Sequence, residues 1–94
     1  MSFDDLAQRF LGEPGVSEGK MFGMPVLKAG GKVFAGDWNG DVVVKLPRER
    51  VDALVAAGEG REFAPMAGRV MKEWVLVEDD DLAGEALAFV RGDA

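Results

Sequence analysis

Apolar residues recur first at helical spacing and then at strand spacing. Phe3, Leu6, Ala7, Phe10 and Leu11 fall on one face of a helix that Ser2 is placed to cap and Gly12 to stop. Gly12 to Gly19 has the composition of a loop. Lys20 to Ala29 reads as extended, with Gly23 and Pro25 marking a break, a bulge or an edge position. Two tight-turn signals follow. Gly30-Gly31 pairs Lys28 with Val33, Leu27 with Phe34 and Val26 with Ala35. Asn39-Gly40 suits a type I′ turn, whose two central positions both need positive φ, and it pairs Asp37 with Val42, Ala35 with Val44 and Val33 with Leu46.

These registers divide the strands into two faces. Val26, Val33, Ala35, Val42, Val44 and Leu46 form the expected core face, ready to pack against helices. Leu27, Phe34, Trp38 and Val43 fall on the opposite face, beside Gly36, Lys32 and Lys45. Four large apolar groups on a second face form a candidate interaction surface for a protein partner or a homodimer with Phe34 and Trp38 near its centre. The alternative is cover from within the chain, by the first helix or by residues 61 to 70, and a one-residue slip would exchange the two faces.

The rest of the chain closes the domain over the core face. Pro47 suits the first position of a helix that buries Val51, Leu54 and Val55 and stops at Gly58. Gly58 to Arg69 is a turn-rich connector in which Phe63 and Met66 are the expected anchors, and Val70 to Val77 reads as a largely buried strand. The acidic run Glu78 to Asp81 opens a third helix carrying Leu82, Ala83, Ala86, Leu87, Phe89 and Val90, with Gly92 past its end. The order is α, a β meander, α, further β, then α. It predicts a single α+β domain over residues 1–94, a two-layer sandwich with a mostly antiparallel sheet flanked by helices.

Composition narrows the chemistry. With 48% apolar and 30% charged residues the chain falls among ordinary folded soluble domains. It lacks an apolar run long enough for a membrane span, and its acidic start is unlike a secretory leader, so a cytoplasmic location is expected. There is no His, Cys, Tyr or Thr, and Ser2 and Ser17 are the only serines. Acyl-transfer triads and zinc sites need groups this chain does not have, so no catalytic residue, metal or cofactor is expected. Proton transfer by carboxylates such as Asp37 or Glu73 has no motif behind it. The run Glu78 to Asp81 reads as a helix start in preference to a cation site.

Charge is unevenly spread. Residues 18 to 74 carry nine bases against eight acids, whereas residues 75 to 94 carry Arg91 against six acids, within a net charge of −6. An acidic domain repels phosphate unless its bases cluster, which disfavours direct nucleic-acid binding. Two function classes stay open. One is a non-catalytic interaction module. The other is a small-ligand or single-strand nucleic-acid binder using Phe34 and Trp38 for stacking, with Lys32, Lys45, Arg69 and Lys72 nearby.

The string from Gly19 to Pro47 resembles the N-terminal domain of the TfoX/Sxy family. The matching positions are Lys20, Met21, Phe22, Gly23, Gly31, Lys32, Phe34, Ala35 and Lys45, and the pattern continues through the second helix to Met71 and Trp74, over roughly residues 18 to 77. The chain departs from the family in lacking its usual tyrosines, with EWVLV in the last strand segment. The resemblance implies a fold akin to YjbR-type and secretion-chaperone-like sandwiches. TfoX proteins regulate bacterial competence, and full-length members carry a second domain related to helix-hairpin-helix modules. The resemblance therefore implies the N-terminal domain by itself as the expectation for these 94 residues, and the family brings no catalytic residues to carry over.

Overall fold

Helix α1 (Phe3–Phe10) begins where the Ser2 hydroxyl accepts a hydrogen bond from the Asp5 amide at 3.2 Å, and it buries Phe3, Leu6, Ala7 and Phe10. The cap satisfies one of the donors that every helix start leaves without an intrahelical partner. Leu11, one residue past the helix, is exposed. The computed structural model describes residues 2–66 and 68–92 of the chain.

Four strands follow: β1 (Val16–Met21), β2 (Met24–Ala29), β3 (Lys32–Trp38) and β4 (Asp41–Lys45). Helix α2 (Arg48–Ala56), strands β5 (Gly60–Glu62) and β6 (Trp74–Val77), and helix α3 (Asp81–Arg91) complete the elements among the described residues. The six strands form one antiparallel sheet in the order β1-β2-β3-β4-β6-β5. The α+β sandwich expected from the sequence is the observed architecture, with the same order of helices and strand groups. No helix among the described residues is long and apolar enough to cross a membrane.

The Asn39-Gly40 turn forms as its dipeptide predicts, with φ of 53° and 91°, and the Asp37 carboxylate accepts the Gly40 amide at 3.0 Å. Pairings Asp37 with Val42 and Ala35 with Val44 follow. A further hairpin lies where the sequence suggested a loop over Gly12 to Gly19 and an interrupted extended segment after it, so Val16 to Gly19 is strand in place of the expected loop. Phe22 and Gly23 take φ of 54° and 75°, so β1 turns back on β2 with Met21 opposite Met24. A phenylalanine at positive φ is rare, which hides this turn from any reading based on turn dipeptides.

The expected faces need one correction. Lys28 pairs with Val33 as predicted, but Leu27 pairs with Ala35 and Val26 with Gly36, so Phe34 is an extra residue in β3. This is a β-bulge, and the two bulge residues Phe34 and Ala35 both join the helix-side core, together with Leu27. Val26 and Val33 correspondingly move to the other face, with Val43 and Trp38. Ala35, Val42, Val44 and Leu46 stay on the helix side as expected.

Both faces of the sheet are therefore packed. On the helix side, α1, α2 and α3 close over Leu27, Phe34, Val44, Leu46, Val75 and their neighbours, with the Phe10 ring edge-on to Phe34 at 5.8 Å. On the other side, Phe63 is fully buried with Met24, Val26, Val43, Trp74 and Leu76, and Trp38 stands edge-on to it at 5.3 Å. Phe63 belongs to the connector between β5 and β6, whose return is fixed by the Met71 amide donating to the Phe63 carbonyl at 2.8 Å. Met66, the second expected anchor, is half exposed instead.

Helix ends follow the sequence with small offsets. Pro47 stands one position before α2, which closes at Gly58 with the Glu59 amide donating to the Leu54 carbonyl at 2.9 Å. The Asp79 carboxylate accepts the Asp81 amide at 2.9 Å, so the acidic run does open α3. Residues 70 to 73 are not strand as expected: Val70 and Met71 are irregular and Lys72-Glu73 form a turn closed by the Trp74 amide donating to the Met71 carbonyl at 3.1 Å, leaving only Trp74–Val77 as β6. Arg50 on α2 makes a two-pronged bond to Glu85 on α3, at 2.7 and 3.1 Å, which raises the guanidinium pKa above its ordinary value.

Candidate functional site beside Trp74

The four residues expected to form an exposed patch do not form one. Leu27, Phe34 and Val43 are fully buried, and they lie on different faces, because the bulge turns Leu27 and Phe34 toward the helices. Trp38 is half-buried against Phe63. The helix α1 covers Phe34 and the connector covers Val43 and Trp38, so the intramolecular alternative describes both faces. Stacking of bases on Phe34 is ruled out by the same burial.

Open surface with mixed chemistry lies instead at the end of the sheet where β4 stops and β6 begins. Lys45 and Trp74 are register partners there, and the Lys45 ammonium stands 5.7 Å from the centre of the Trp74 indole. A cation held over an indole face is stabilised by the ring quadrupole. Trp74 itself is only 7% exposed, so it forms a fixed wall and not a mobile flap.

Two grooves meet at this tryptophan. The larger, about 560 Å³, is floored by Met21, Val33, Trp74, Phe89 and Val90 and flanked by Lys32 and Lys45. No carboxylate lines it. The smaller, about 390 Å³, runs along α2 past Val51, Val55 and Val70, and its charges are mixed, Arg48 and Lys72 against Asp52 and Glu62. Arg69 lines neither groove; it pairs with Met66 at the tip of the connector.

The two grooves differ in charge because carboxylates line only the smaller one. Among the described residues, the ion pairs within 4.0 Å join Arg9 to Asp80, Arg50 to Glu85 and Arg61 to Asp41. None of them engages Lys32 or Lys45, so in a chain of net charge −6 the lysine groove holds two cations with no carboxylate against them. Each attracts an anion 4 Å away by roughly 1 to 4 kcal/mol, depending on how far water is excluded.

The four bases named from the sequence are thus separated. Lys32 and Lys45 come together, Lys72 borders the neighbouring groove and Arg69 stands apart. Phe89 and Val90 complete the lysine groove from α3, some forty residues beyond Lys45 in sequence. No local pattern links them. Asp37 holds the Asn39-Gly40 turn through its bond to the Gly40 amide, a structural task. Among the described residues, no cluster of three carboxylates is placed to hold a metal ion. No protein-family model matches the chain, and comparison with curated proteins gives no match.

Proposed function

We propose that this chain is a small non-catalytic binding module, of the TfoX N-terminal kind that its residues 18 to 77 resemble, and that its working surface is the lysine groove. The occupant is a small organic anion with a flat or extended apolar body. The observation that carries this reading is the pairing of Lys32 and Lys45 with an apolar floor and no carboxylate, in a chain that is otherwise acidic. The volume, about 560 Å³, falls in the range of small-molecule sites. A sequence without His, Cys, Thr or Tyr supports binding over catalysis. The absence of cysteine suits a reducing compartment, and we place the domain in the cytoplasm.

The test uses the aryl sulfonate 1-anilinonaphthalene-8-sulfonate, read by its own fluorescence and by quenching of tryptophan emission. Two charge contacts, one at the exposed Lys32 and one at the half-buried Lys45, are together worth about 1 to 2 kcal/mol, so Lys32→Gln with Lys45→Gln should weaken binding roughly 5- to 30-fold. Lys72→Gln, in the neighbouring groove, should leave it unchanged. Equal affinity in the double variant and the parent would overturn the assignment.

A further inference from the structure

The free edge of the sheet carries a charge pattern that fits its own copy. Strand β1 is the outermost strand, paired on one side only, with β2. Its register is continuous, without a bulge, and it contains no proline. Edges are usually blunted by bulges, prolines, charged side chains or a covering segment; β1 has no bulge and no proline, and its two charges, Glu18 and Lys20, are of opposite sign.

Which backbone groups face outward follows from the hairpin. A two-residue turn at Phe22-Gly23 makes Met21 and Met24 a pair that exchanges both hydrogen bonds, and such pairs alternate along an antiparallel ladder. Gly19 with Val26 and Ser17 with Lys28 are then the next bonded pairs. Two observations agree with this phase. The Gly30 amide donates to the Gly15 carbonyl at 3.1 Å, and Pro25, which has no amide hydrogen, falls opposite Lys20 in an unbonded pair. The outward-facing residues of β1 are therefore Val16, Glu18 and Lys20. The Val16 amide is already engaged by the Glu13 carbonyl at 3.2 Å. Glu18 and Lys20 keep both amide and carbonyl available at the edge.

We propose that β1 pairs antiparallel with β1 of a second copy, about a two-fold axis at Gly19. A two-fold pairing must match outward-facing residues with one another, which leaves few registers. An axis at Glu18 sets two glutamates face to face, and an axis at Lys20 sets two lysines face to face. An axis at Gly19 sets Glu18 of each copy opposite Lys20 of the other, twice. Each of these pairs exchanges two backbone hydrogen bonds, so four form across the axis, and opposite charges directly across a ladder attract. Gly19 meets Gly19 in the close, unbonded position, and the side chain lying over Gly19 is the flexible far end of Lys28, which swings aside as two copies approach. The product is one continuous sheet of two six-stranded halves. The other edge, β5, has only three residues and gives no comparable template.

Sedimentation equilibrium from about 10 µM to 1 mM reads the association, in the weak range expected of a small interface. Glu18→Lys and Lys20→Glu, each alone, place like charges in both pairs and should weaken dimerisation about tenfold or more. The double exchange, Glu18→Lys with Lys20→Glu, restores opposite charges and should recover it. Rescue of this kind is specific to an axis at Gly19. Amide hydrogen exchange gives a second readout, in which the Glu18 and Lys20 amides gain protection as concentration rises. A monomer mass at 1 mM, a dimer indifferent to the single charge reversals, or a dimer that leaves these two amides unprotected would each overturn the proposal. So would protection that requires an added partner protein.

Discussion

Phe63 supplies the largest side chain that the β5–β6 connector places on the second face of the sheet, where it is fully buried beside Val26, Val43 and Leu76. Replacing it by alanine removes the ring and leaves a cavity that a sheet backbone fills poorly. Truncating a buried phenylalanine costs about 3 to 5 kcal/mol, and the edge-on contact with Trp38 places Phe63→Ala toward the upper part of that range. A domain of this length has a total stability of roughly 5 to 14 kcal/mol, so the loss is a large share of it. In a thermal melt it amounts to a fall of more than about 12 °C. Both tryptophans belong to this second core, while the helices lie on the other face, so fluorescence and far-ultraviolet circular dichroism report on opposite sides of the sheet. Urea unfolding followed by both probes should shift to the same lower midpoint with an unchanged slope, since one sheet joins the two cores. Met66→Ala, half exposed in the same connector, is the control and should change stability by less than about 0.5 kcal/mol. A Phe63→Ala loss below about 1 kcal/mol would show that the connector does not close the second core, and separate midpoints would show that the two cores unfold independently.

Other consequences are as direct. Phe34→Asp buries a carboxylate among Phe10 and the helix-side core, so it should abolish the cooperative melt; a variant that stays folded would refute the bulge. Gly40→Val forces a β-branched residue to φ near 91° and should lower the urea midpoint, whereas an unchanged midpoint would refute the type I′ turn. Glu85→Gln removes the charge and one of the two acceptor oxygens that Arg50 uses, but both side chains are about 40% exposed, so the loss should stay below about 1 kcal/mol and shrink at high salt. Calorimetry in low and high salt checks that last point, and a larger, salt-independent loss would contradict it.

How far the molecule was legible in its residues varies element by element. The Asn39-Gly40 turn, the Ser2 cap and the apolar stripes of α1 and α3 are local effects, in which a few neighbouring residues decide the conformation whatever the rest of the chain does. The α+β order follows from them, because stripes of period 3.6 and period 2 must be buried against each other. The Phe22-Gly23 hairpin left only a weak trace, the glycine at its second position, since phenylalanine does not announce a left-handed turn.

What tertiary structure decided was which face each β side chain serves. Strict alternation carried backward from Asn39-Gly40 and forward from Gly30-Gly31 gives one parity to Val33 and Ala35, and the sequence holds no mark of the extra residue at Phe34. The bulge places Phe34 under Phe10, a contact between residues from separate elements whose energy no local pattern encodes. It converts an expected exposed patch into two buried cores. The lysine groove has the same origin: Lys32, Lys45, Trp74 and Phe89 are dispersed along the chain and become neighbours only when β4 pairs with β6 and α3 packs across the sheet. Periodicity and turn chemistry act over a few residues, and so the sequence determined the elements and their order. Register shifts and the meeting of distant side chains depend on the packing of the whole chain, and that packing alone decided the faces, the cover and the site.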